Sequence, residues 1–226
     1  MRLSRLPGIV LLAVALAAPV VSSSPAFAGP VSGMVRTKTR PGAAPATAVV
    51  YAEPLDSAAP RRPAEVSLAQ RNRTFMPHVL AAPVGSTVRF PNQDNIFHNV
   101  FSLSPPEPFD LGLYRSGASR ARTFTHTGTY RVFCNIHPEM TALVLIVPTP
   151  YVIVAAADGR YTLDLPPGRF RLTAISERAA PVSAEVVSSA GATTAPELAL
   201  NESDWVATQH KNKFGQDYPV AEYRRQ

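Results

Sequence analysis

The chain has 226 residues, 46% of them apolar, with 22 basic and 16 acidic side chains and a formal net charge of +6. That length and apolar content exclude a disordered chain and allow one large domain or two small ones with buried cores. The positive charge is mild and forms no dense basic run, which argues against a nucleic-acid-binding protein, and 23 prolines lying mostly outside the apolar runs favour short strands and turns over long helices.

The first segment reads as an export signal. Arg2 and Arg5 form a basic start, Ile9 to Val21 an apolar run, and Ala26-Phe27-Ala28 a cleavage site. Residues 1–28 are therefore expected to be a signal peptide, and the apolar run is too short to span a bilayer comfortably. Cleavage removes Arg2 and Arg5 and no acid, so the mature charge is near +4. No later stretch is long enough for a membrane helix, and the expected location is the periplasm. A mildly basic surface there favours an acidic partner through steering.

Past Gly29 no helical periodicity is sustained, and strand-like alternation is common. Val88 to Phe90, Thr129 to Cys134, Leu143 to Val147 and Tyr161 to Leu165 read as strands, with turn signals at Gly85-Ser86, Gly117, Gly128, Asp158-Gly159 and Pro166-Pro167-Gly168. One or two all-β sandwiches are expected. Residues 29–64 hold N-terminal strands and, from 53, a Pro-rich linker. Residues 65–148 hold the chemistry described next. Pro148-Thr149-Pro150 reads as a hinge into a second unit, 149–200, and 201–226 as a polar tail that Trp205 and Phe214 would pack back on the body.

The chemistry lies in Cys134-Asn135-Ile136-His137-Pro138-Glu139-Met140, a C-x2-H-x2-M pattern between two predicted strands. A tight strand-to-strand loop can turn three side chains toward one point. A thiolate and two imidazoles with a weak axial thioether make a blue-copper electron-transfer site. Cys134 is the only cysteine, and an unpaired thiol in an exported protein needs a role, which a metal provides. The second imidazole must come from elsewhere, and His98, at a loop-to-strand junction, is the best candidate. His78 and His126 sit in apolar or strand-edge contexts and His210 in the polar tail. Asp94 and Asp110 are read as turn residues, Tyr130 as core, Glu139 as exposed.

These residues carry a resemblance. Pro83-Val84-Gly85-Ser86-Thr87-Val88, Asn92 with His98-Asn99-Val100, Phe124-Thr125 with Gly128-Thr129-Tyr130, and Cys134-x2-His137-Pro138-x-Met140 run in the order found in cupredoxins, most closely the amicyanin- and pseudoazurin-like branch. The stretch from His98 to Tyr114 is also similar to exported plastocyanin-like proteins of the methylamine-utilisation type. The resemblance implies a Greek-key β-sandwich holding one type 1 copper ion. His98, Cys134 and His137 would be equatorial ligands and Met140 axial, Asn99 would give its backbone N–H to the thiolate, and Phe109 to Tyr114 would cover the site. One departure stands out: many small cupredoxins have proline at the position of Ile136. Ile136 keeps an N–H that could reach the Cys134 sulfur.

Asp158 to Leu172 resembles the small immunoglobulin-like (transthyretin-like) sandwich of carboxypeptidase regulatory domains. Such a unit normally begins with a segment like Val31 to Val35 and Ala48 to Tyr51, which lies at the other end of this chain. Residues 30–52 and 149–200 are thus expected to form one discontinuous sandwich, testable through contacts of Val49–Tyr51 with Val152–Ala155. No nucleophile elbow, H-E-x-x-H or phosphate loop is present, so the expected function is single-electron carriage between redox partner proteins and not an enzyme. Copper binding for delivery, or a metal-free structural module, are the alternatives.

Overall fold

The structure, a computed structural model, describes residues 29–218; the expected signal peptide lies outside the described residues. Among them the regular structure is strand alone, and no helix is long and apolar enough to cross a membrane. In chain order the strands are β1 (Gly29–Lys38), β2 (Val49–Pro54), β3 (Glu65–Ser67), β4 (Ala69–Arg71), β5 (Thr74–Met76), β6 (Val79–Pro83), β7 (Thr87–Pro91), β8 (His98–Ser102) and β9 (Phe109–Tyr114). They continue with β10 (Ser119–Thr123), β11 (Gly128–Phe133), β12 (Thr141–Val147), β13 (Val152–Val154), β14 (Arg160–Leu165), β15 (Gly168–Ser176), β16 (Ala179–Ser188), β17 (Thr193–Thr194) and β18 (Leu198–Asn201).

The central stretch builds two sheets, β10-β7-β3 and β6-β12-β11-β8-β9, with β4 and β5 as a separate hairpin. Their facing sides close on Leu68, Phe90, Val100, Phe124, Tyr130, Val132, Val144 and Ile146. Alternation explains β11, where Tyr130 and Val132 go inward while Thr129 and Arg131 stay out. β12 reads Thr-Ala-Leu-Val-Leu-Ile-Val and does not alternate, because both of its faces are covered. Ala142, Val144 and Ile146 face the inner core. Leu143, Leu145 and Val147 join Val49 and Val79, with Tyr51, Val152 and Ile175 beside them, in a separate apolar seam.

The other two sheets come from both ends of the chain. β1 pairs antiparallel with β14 and parallel with β17 and β18. β2 lies between β13 and β15, and β15 pairs with β16. The contacts expected of a discontinuous sandwich are present: Tyr51 opposes Val152, Val50 opposes Ile153 and Val49 opposes Val154. Val31, Val35, Val50, Leu163, Leu165, Phe170, Leu172 and Leu198 fill the space between. β14 shows why, since Tyr161, Leu163 and Leu165 are buried and Arg160, Thr162 and Asp164 exposed. The Asp158-Gly159 turn needs its glycine: φ is +86°, and a Cβ would stand 2.1 Å from the Val35 carbonyl oxygen.

Two local expectations shift. The linker starts later than position 53, because Glu53 and Pro54 still pair with Arg171 and Phe170. In the tail, Trp205 sits under the Arg178 guanidinium, 4.7 Å from ring centre to charge, but Phe214 is 71% exposed and packs nothing down. His210 and Tyr218 hold that segment instead.

Candidate metal centre

β11 delivers Cys134 as the first residue past its end, and β12 takes the chain back from Thr141. The six residues between turn tightly. The Cys134 N–H donates to the Met140 carbonyl (3.1 Å) and the Met140 N–H to the His137 carbonyl (2.9 Å). This closes the loop on itself and fixes Cys134, His137 and Met140 on one small ring of backbone. Cys134 and Met140 are both buried in the core of the central sheets, while His137 is half-buried.

His98 begins β8, the strand paired beside β11, after a loop shaped by Asn92. The Asn92 side chain accepts from the Asp94 N–H (3.0 Å) and donates to the Ile96 carbonyl (2.7 Å). Asp94 then receives the backbone N–H groups of Asn72 and Arg73 and the Nε2–H of His98, the last at 2.7 Å. Burial alone would raise the Asp94 pKa, but these donors outweigh it and hold the carboxyl below its ordinary value. With Nε2 committed to Asp94, the Nδ1 lone pair of His98 is left for a metal.

That Nδ1 lies 3.9 Å from Cys134 Sγ, and His137 Nδ1 lies 3.7 Å from the same sulfur. All three donor atoms fall within 4.8 Å of one another, the cluster of this kind found among the described residues. The two rings meet edge to face at 5.0 Å. Bonds of about 2.0–2.3 Å to nitrogen and sulfur, arranged in a trigonal plane, separate the two donors by about 3.8 Å. The residues present therefore fit a metal held by two imidazoles and a thiolate.

The thiol is buried, which pushes its pKa up, and the backbone N–H groups of Asn99, Ile136 and His137 pull it partly back. The Ile136 and Asn99 N–H groups thus both favour the thiolate over the thiol. His137 is shifted down, first by burial and then by the neighbouring His98. The Asn99 side chain ties the two ligand loops together: its Oδ1 accepts from the Asn135 N–H (3.3 Å) and its Nδ2 donates to Asp110 (2.7 Å).

Asp94 and Asp110 thus do more than make turns. Asp94 orients a ligand candidate and Asp110 supports the bridge between loops. Their local sequences look like ordinary turns, and only the fold brings them under His98 and Asn99. His78 and His126 stand apart: His78 bonds Thr141 and Glu177, and His126 bonds Glu107. His210 lies in the polar tail by sequence, yet its ring stacks on Phe133, at 3.9 Å, directly before Cys134.

No model of a known protein family matches the chain, and no curated protein matches it. Solved structures do. A copper-containing nitrite reductase from Thermus scotoductus is 30% identical over 42% of this chain, with a TM-score of 0.36, and the match spans 25% of the reductase. A purple cupredoxin from Nitrosopumilus maritimus is 23% identical over 36% of this chain and 99% of its own, with a TM-score of 0.34. An amicyanin variant in its Cu(I) state is 22% identical over 37% of this chain and 82% of its own, with a TM-score of 0.35. Of these three, two are by name a cupredoxin and an amicyanin, and each match covers less than half of this chain.

Proposed function

We propose that the chain is a type 1 copper protein that passes single electrons between periplasmic redox partners and is not itself an enzyme. The observation that carries this reading is the convergence of His98 Nδ1 and His137 Nδ1 on the Cys134 sulfur. His98, Cys134 and His137 would hold copper, with the Met140 thioether as a further, weak ligand. A bound copper ion would supply a one-electron couple suited to soft sulfur and borderline imidazole donors.

The chain's own residues do the rest. Asp94 fixes the His98 ring, and the three N–H donors around Cys134 favour negative charge on sulfur. Val100 and Met140, buried in the same core as Cys134, keep water from the inner side. His137 is the half-buried ligand and so the natural point of electron entry and exit. Exposed Ile136 and Phe97, 47% and 54% accessible, give a partner apolar surface to dock on. The copper-binding body comprises residues 65–148. Residues 30–52 and 149–200 form the second sandwich, which serves as a spacer or docking module.

The test is a visible absorption spectrum of the mature protein after Cu(II) addition, repeated with Cys134→Ser. An intense thiolate-to-copper band at about 600 nm, lost in the variant, is expected. A colourless wild-type protein would overturn the reading.

A further inference from the structure

The C-terminal segment does not hang free of the ligand loop. Four contacts from residues 210–218 land on it within a few residues of each other. The His210 ring stacks on Phe133 with planes 16° apart, and its Nε2–H donates to the Pro138 carbonyl at 2.6 Å. The Lys213 backbone N–H donates to Asn135 Oδ1 at 3.0 Å. The Tyr218 hydroxyl, buried, donates to the Cys134 carbonyl at 3.5 Å. A fifth contact reaches the support behind the loop, from Lys213 Nζ to Asp110 at 2.8 Å.

The segment shapes itself for this. Asn212 Oδ1 accepts from the N–H groups of Phe214 and Gln216, and the Gly215 N–H donates to the Asn212 carbonyl. Gly215, with φ of +76°, allows the turn that brings Tyr218 back. Phe214 points outward, so burial of its ring does not drive the docking. The polar contacts and the His210 and Tyr218 rings do.

From this we infer that residues 210–218 are a strap that positions the metal-ligand loop, with His210 and Tyr218 as its positioning residues. They act through the Cys134 and Pro138 carbonyls, the Asn135 side chain and the Phe133 ring, on either side of the two loop ligands Cys134 and His137. The strap holds the loop in one shape whether or not metal is present, and so limits both rearrangement and metal escape. The metal part of this inference rests on the copper reading; the loop-holding part does not.

The experiment compares the full chain with His210→Ala/Tyr218→Phe. Hydrogen exchange is followed in the metal-free proteins, and release of Cu(II) to excess chelator in the loaded ones. Loss of two hydrogen bonds and a stacked ring is expected to speed exchange at amides 134–140 on the order of tenfold. Amides of β15 and β16 should be unchanged. Copper release should accelerate similarly while the visible band is kept, and His210→Phe, which retains the stack, should fall between. Unchanged loop exchange, or faster exchange throughout the chain in equal measure, would overturn the strap. A wild-type protein that takes up no copper would sink the copper reading alone, and the exchange data would still decide the strap.

Discussion

The molecule carries two β-sandwiches of similar construction and unequal chemistry. The sandwich built from both chain ends encloses valine, leucine and phenylalanine, and its buried carboxylate, Glu202, is satisfied by Ser176 and the Ala46 N–H. The central sandwich encloses a comparable core but opens one end to polar side chains: Asn92, His98, Asn99 and Cys134 are all buried there, with Asp94 close beneath the surface. The strands of both do the same job. What separates the end with the candidate metal centre from the other sandwich is the loops, and the polar partners that make burying their side chains tolerable.

Phe170→Ala tests the inert side. Phe170 is almost wholly buried between sheets, and its truncation should cost about 3–5 kcal/mol by denaturant unfolding. The visible band of the protein still folded should stay unchanged. A changed band would mean the two sandwiches are not chemically separate.

Asp94→Ala tests the other side. Losing the carboxylate that holds His98 Nε2 should weaken metal binding roughly 10–100-fold by competition titration, with far-ultraviolet circular dichroism unchanged. Unaltered affinity would return Asp94 to the rank of a turn residue. Ile136→Pro is finer. It removes one N–H from the thiolate and should lower the reduction potential by about 40 mV for about 1 kcal/mol of lost hydrogen bonding, read by voltammetry. A potential that stays or rises would show the N–H to be idle.

The smallest effect lies between the sandwiches, where His78 meets Glu177 at 3.2 Å. The hydrogen bond to Glu177 raises the His78 pKa above 6.5, and the same bond lowers that of Glu177 below 4.5. The histidine's share of stability is full below 6.5 and fades as pH rises through its raised value. The glutamate's share is full above 4.5 and fades as pH falls through its lowered value. Thermal melts of wild type and Glu177→Gln should therefore differ most between pH 4.5 and 6.5 and converge on either side. A gap that is flat across pH would remove the pair from the account.

Much of this was legible in the residues. Alternation marked β7, β11 and β14, and the C-x2-H-x2-M spacing placed three side chains in one tight loop before any fold was known. His98 could be picked only by its junction with a strand, and the structure brings its Nδ1 to the same sulfur. The pairing of β2 with β13 lies where a resemblance pointed, since a sandwich of the kind that Asp158 to Leu172 resembles begins with a segment like Val31 to Tyr51. The parts that stayed hidden depend on distance in sequence. Asp94 and Asp110 look like any turn aspartates, and nothing around His210 announces a ring stacked beside Cys134. Phe214 looked like the anchor of the tail because it is apolar, but a segment tied down by polar contacts leaves no such mark.

The two-faced strand β12 has a consequence for anyone who trims the molecule. A piece spanning 65–148 would contain every candidate ligand, yet it would lose Val49, Tyr51, Val152 and Ile175 from over Leu143, Leu145 and Val147. That wall would become a naked greasy stripe along a sheet, the kind of surface that glues proteins to one another. The body that carries the candidate metal centre is a lodger in the other sandwich, entering after β2 and leaving before β13, two strands that lie side by side. Its solubility is on loan from its host.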